Sequence, residues 1–230
     1  MKAATLGVLT AVFLLAGSAF ASTQFASTFE GGYLVHTPRT ASGFQALATW
    51  SDPGEPGGKP KELSKIKVDF APGARLNTAA LPACKASDVD VQIQSVRACP
   101  RNTIVGSVRG QGLYPGSTPF YTYATLFNAR RQIIVVVTLD TKHGRLLTNF
   151  RDDVRRDSIT VNLKIPGHIS LIRFQALVPR HSRKVRGKRQ TYFTTPATCP
   201  ASGAWTNTAT FSYEDGSSDS HAVTTPCTKY

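Results

Sequence analysis

Residues 180–189 read RHSRKVRGKR and place Arg180, Arg183, Lys184, Arg186, Lys188 and Arg189 within ten positions, with no acid among them. Charge concentrated on a projecting segment raises the local potential and so attracts polyanions. Teichoic acids, acidic polysaccharide and the anionic lipid headgroups of a cell envelope are the partners that fit. Nucleic acid fits less well, because no aromatic residue interleaves the cations to stack on bases. The plainer account is a solvated loop whose charge confers only solubility. The whole chain holds 27 Lys+Arg against 14 Asp+Glu, a net charge of +13. Losing Lys2 with a leader would leave +12, half of it from this one stretch.

Enzyme chemistry is harder to find. The sequence contains no G-x-S-x-G, H-E-x-x-H, Walker loop or G-x-G-x-x-G. Its five histidines (36, 143, 168, 181 and 221) are scattered without metal-ligand spacing, and glutamate occurs only four times. In RDDVRRD (151–157), Asp152, Asp153 and Asp157 are balanced by Arg151, Arg155 and Arg156, which reads as an ion-paired turn rather than a calcium loop. No metal, cofactor or catalytic residue is therefore expected. A hydrolase on an all-β frame is the rival, and a Ser–His contact or two carboxylates in a cleft would favour it. Carbohydrate binding is a further alternative, since Trp50, Trp205, Tyr114, Phe120, Tyr121 and Tyr123 could stack on sugars. Tyr121 and Tyr123 fall on one side of a strand, whereas core packing explains Trp205 better.

The four cysteines, Cys84, Cys99, Cys199 and Cys227, form no C-x-x-C pair, which argues against zinc. The N-terminus sets their redox setting. Lys2 precedes an apolar run centred on residues 8–15, and small residues at Ala19 and Ala21 follow, the order of a secretory signal cleaved after Ala21. The run is shorter than the ~20 residues that span a bilayer, and no later stretch is long enough. Residues 1–21 thus read as a signal peptide and residues 22–230 as one exported domain. In an oxidising compartment the even count favours disulfides. Three connectivities are possible, and the neighbours Cys84–Cys99 and Cys199–Cys227 are favoured because both intervening segments look like local units.

The elements that must hold these residues are short. Ile66, Val68 and Phe70 alternate with polar residues, as do Ile159, Val161, Leu163 and Ile165, the period of half-buried strands. Residues 118–127 and 132–139 form a hairpin, and the unbroken run Ile133–Val137 calls for a strand buried on both faces. Residues 169–178 make the return strand after Pro166-Gly167, with a bulge near Ile172. Residues 204–213 and 218–225 flank an Asp-Gly turn. SDPGEPGGKPK, within residues 51–62, is a Pro/Gly loop. Residues 87–97 fit two readings: Val89, Val91 and Ile93 alternate as in a strand, while Val89, Ile93 and Val96 fit the face of a short helix capped by Ser87 or Asp88, the reading favoured here. The sum is an antiparallel all-β sandwich of about ten strands.

Several stretches, LPAC (81–84), ACP (98–100) with TIVGS (103–107), ATLFN (124–128) and TTPATCP (194–200) through Trp205 to Cys227, resemble a group of secreted proteins of unknown function from high-GC actinobacteria. The resemblance implies export, two local disulfides and one all-β unit, and it transfers no catalytic residue. The resulting expectation is an exported, non-enzymatic module that contacts an anionic envelope or extracellular polymer through residues 180–189.

Overall fold

The computed structural model describes residues 24–139, 145–163 and 167–229. The signal segment with Ala19 and Ala21, and His143, lie outside these residues. Two antiparallel sheets face each other. The larger runs β1 (Ala26–Tyr33), β2 (Phe44–Ser51), β10 (Ser170–Val178), β5 (Ile104–Leu113), β6 (Pro119–Ala129), β7 (Gln132–Leu139) and β8 (Leu146–Asp153) in spatial order. The smaller runs β15 (Ser218–Pro226), β14 (Ala204–Tyr213), β3 (Leu63–Asp69) and β9 (Ser158–Asn162). Two ribbons complete the set: β11 (Ser182–Val185) with β12 (Lys188–Thr191), and β4 (Arg75–Leu76) with β13 (Phe193–Thr194). The all-β antiparallel sandwich is thus observed, with fifteen strands among the described residues where the sequence suggests about ten.

Local sequence explains most elements. β6 and β7 join across Arg130-Arg131, and β7 is buried on both faces. Ile133 and Val135 point into the sandwich, while Ile134 and Val136 pack outward beneath α1 (Asp88–Gln94) with Val91, Cys84 and Cys99. Ser87 caps α1 in a box with Asp90, satisfying backbone donors that would otherwise lack partners. The bulge falls at Ile172, where the β10–β5 register slips. β14 and β15 turn through Asp215-Gly216, with Gly216 at φ 82°. Both disulfides, Cys84–Cys99 and Cys199–Cys227, form as the neighbouring pairs, and such bonds are favoured in oxidising surroundings. Among the described residues no helix is long and apolar enough to cross a membrane.

Two expectations are corrected. β10 is not the hairpin partner of β9: β9 pairs with β3 in the small sheet, and β10 lies between β2 and β5 in the large one. Both strands carry an apolar face, and placing them in opposite sheets lets Val161 and Leu171 line the same interior space. Residues 180–189 are not a loop either, since most of them form the β11–β12 ribbon.

The sheets differ in width, and this shapes the interior. At about 4.8 Å per strand, seven strands span about 29 Å and four span about 14 Å. Yet the sheets meet at both margins, with β1 alongside β15 and β8 alongside β9, where Val154 bridges Ile159. The large sheet must therefore arch over the small one. Under β1, β2 and the adjoining ribbon the arch is filled by aromatic rings: Tyr33, Phe44, Phe70 and Phe193 meet at 4.8–6.0 Å, and Trp50 lies 4.9 Å from Phe211. Under the middle of β5 to β8 the inward residues Val108, Ala124, Val137 and Thr148 are smaller, and the space is not filled.

Candidate functional site

The β11–β12 ribbon gathers the cations predicted from sequence. Its tip is Arg186-Gly187, with φ 49° and 78°. Two successive positive φ values match the type I′ turn that suits the right-handed twist of a hairpin. Lys184 stands directly opposite Arg189, and Val185 opposite Lys188. Because side chains alternate across a strand, Lys184 and Arg189 share one face, while Arg183 and Lys188 share the other. Arg180, Arg183, Lys184, Arg186, Lys188 and Arg189 are all exposed, and among the described residues no ion pair holds any of them. Like charges placed directly opposite are unfavourable, so the ribbon stores repulsion that a bound anion would relieve. Its root is fixed. His181 donates from Nε2 to the Val105 carbonyl at 3.1 Å, and buried Tyr192 bonds back to the His181 carbonyl.

The sequence-predicted aromatic set separates. Trp50 and Trp205 are core residues, with their indole N–H groups bonded to Tyr213 and to the Thr198 carbonyl. Phe120 is buried against Tyr114. Only Tyr121 and Tyr123 look outward, 58% and 39% exposed, opposite Gln111 and Arg109 on the outer face of the large sheet. The RDDVRRD stretch also separates. Arg151 pairs with Asp88 at 2.5 Å and reaches the Ala86 carbonyl, while Asp152 is buried and accepts from the Asn162 backbone and side chain. Among the described residues no cluster could hold a metal ion.

Sequence reasoning missed a Ser–His contact. Ser27 on β1 lies 2.6 Å from His221 Nε2 on β15, and its hydroxyl donates to Asp219 Oδ2. Tyr213 donates to the same oxygen at 3.0 Å and accepts from Trp50 Nε1 at 3.2 Å. Burial and the Asp219 charge raise the Tyr213 phenol above its usual pKa. The order of bonds decides what this group can do. A serine has one proton, and here Asp219 holds it, so His221 Nε2 must donate to Ser27 rather than remove its proton. In a nucleophilic triad the carboxylate orients the far ring nitrogen of the histidine. Here Asp219 lies on the near side, 3.8 Å from Nε2. The chain Trp50–Tyr213–Asp219–Ser27–His221 braces the seam between the sheets. The signal that could have found it is the i, i+2 pair Asp219 and His221, but its partner lies 192 residues away.

Beneath the arch lies an apolar cavity of about 190 Å³, bounded by six strands of the large sheet and by β3 and β9. Among the described residues, Thr122 and Thr148 are the only polar side chains that line it. At Leu163 it adjoins a polar pocket of about 240 Å³ lined by Glu62, His168 and Glu214. Burial pushes the Glu62 pKa up, but bonds from Lys59 and His168 outweigh it and leave it lowered, so Glu62 stays charged.

Compared with known protein families, curated proteins and solved structures, the chain matches none.

Proposed function

We propose that this chain is an exported binding module whose basic ribbon contacts an anionic polymer of the cell envelope or its surroundings. The observation that carries the reading is the Lys184–Arg189 cross-strand pair, flanked by Arg183, Arg186 and Lys188 on a turn with a fixed root. Repulsion of this kind lowers the stability of the free ribbon, and a string of negative charges recovers it. The leader-like N-terminus and the two disulfides support an oxidising, extracellular destination. The resemblance to secreted actinobacterial proteins points the same way.

The test replaces Arg183, Lys184, Arg186 and Lys188 with Ser and compares retention on envelope fractions at low and moderate salt. The wild type should be held at low salt and released as salt rises. The variant should fold and pass through. Equal retention of both proteins at every salt concentration would reduce the ribbon to a solvated surface.

A second reading rests on Tyr121 and Tyr123, two exposed rings on the outer face of the large sheet beside Gln111 and Arg109. Such a face suits a neutral polysaccharide, which would stack on the rings. Retention on insoluble glycan that is lost in Tyr121→Ala/Tyr123→Ala, but kept in the ribbon variant, would favour it.

A further inference from the structure

One cross-strand row on the inner face of the large sheet carries no side chain larger than valine. Register sets Ala46 beside Ala176, Ala176 beside Val108, Val108 beside Ala124, Ala124 beside Val137 and Val137 beside Thr148. All six residues line the apolar cavity. The rows on either side place Phe44 and Phe174 inward, so the small residues make a trough that runs across the strands. The space touches six neighbouring strands and so extends across the sheet. Water gains little there: an apolar cavity of about 150 Å³ stays dry and takes up a hydrocarbon instead.

We propose that this trough holds one unbranched hydrocarbon chain, laid across the strands, with an uncharged hydroxyl-type head at Leu163. The walls offer only dispersion and apolar burial, which suit a chain without internal polar groups. The head follows from the adjoining polar pocket, where Glu62, His168 and Glu214 offer hydrogen bonds. Glu62 is held by Lys59 and His168, which leaves the Glu214 carboxylate to disfavour a fatty-acid head by like-charge repulsion. This site is independent of the basic ribbon, which roots beside Val105 and Tyr192.

Octanol, decanol and decanoate are the probes, used with the full exported chain in calorimetric titration and thermal unfolding. Decanol should bind saturably, one per chain, and raise the unfolding temperature. Decanoate should bind about 10-fold more weakly or worse, equivalent to about 1.4 kcal/mol. Ala124→Phe fills the middle of the row and should abolish binding. Ala176→Leu is the milder variant should Phe prevent folding, with circular dichroism confirming the sheets. The quadruple ribbon variant should bind decanol as the wild type does, so the two proposals fail separately. Absence of saturable alcohol binding, or undiminished binding in every folded filled variant, would overturn the chain site. Equal affinity for decanol and decanoate would overturn the placement of the head.

Discussion

Ser27 joins the two sheets through both a carboxylate and an imidazole. Replacing it with Ala leaves Asp219 and His221 each short of a partner at the seam. The expected loss is about 1–3 kcal/mol, the range for an orphaned, partly buried polar group, read from urea unfolding. The same geometry predicts that a fluorophosphonate will not label Ser27, because its hydroxyl donates to Asp219 and His221 Nε2 faces it as a donor, not as a base; stoichiometric labelling would revive the hydrolase. Asp215 offers a pH test. Bonds from Lys61 and from the Ser217 side chain and backbone lower its pKa from 3.8 to about 2. A depressed carboxylate stabilises the fold above its unfolded pKa, and that contribution disappears as pH falls from about 4 through 2. Being fully exposed, Asp215 contributes little to stability, so the measurement is its own titration by NMR. Lys61→Ala should move the midpoint upward.

At the scale of elements, the ribbon makes binding and stability oppose each other. Lys184→Glu places an acid opposite Arg189, a cross-strand pair worth about 0.2–1 kcal/mol. The variant should unfold at a slightly higher temperature and yet bind polyanion less well. A fall in both would mean that Lys184 serves the fold alone. Replacing Cys84 and Cys99 with Ser opens a link across 15 residues, which should cost about 3 kcal/mol in the chain-entropy view, measured by denaturant unfolding without reductant. Much of this level was legible in the sequence. Alternation identified β3 and β9, the apolar run identified β7, and the phase slip located the bulge at Ile172. The ribbon was less visible because the charge of residues 180–189 masks its strand pattern, although Arg186-Gly187 is an X-Gly turn. The pairing of β9 was hidden because hydrophobic alternation names a buried face without naming the sheet across from it.

For the molecule as a whole, the width mismatch between sheets creates the arch, and the arch creates the cavity. Neither could be read from a local window. Ala46, Val108, Ala124 and Ala176 come from four separate strands, and only register aligns them. The basic cluster, by contrast, is contiguous in sequence and was found at once. Its surface charge makes the central claim one about ionic strength. The decisive measurement is the affinity of wild type and the Arg183/Lys184/Arg186/Lys188→Ser variant for fluorescently labelled polyphosphate, by anisotropy across a sodium chloride series. Binding through the ribbon predicts a steep fall of log affinity with log salt for the wild type, because each neutralised charge releases a counterion. The variant should bind weakly with a clearly shallower slope. Parallel lines of equal height for the two proteins would contradict the account and assign the attraction to the diffuse positive charge of the whole chain.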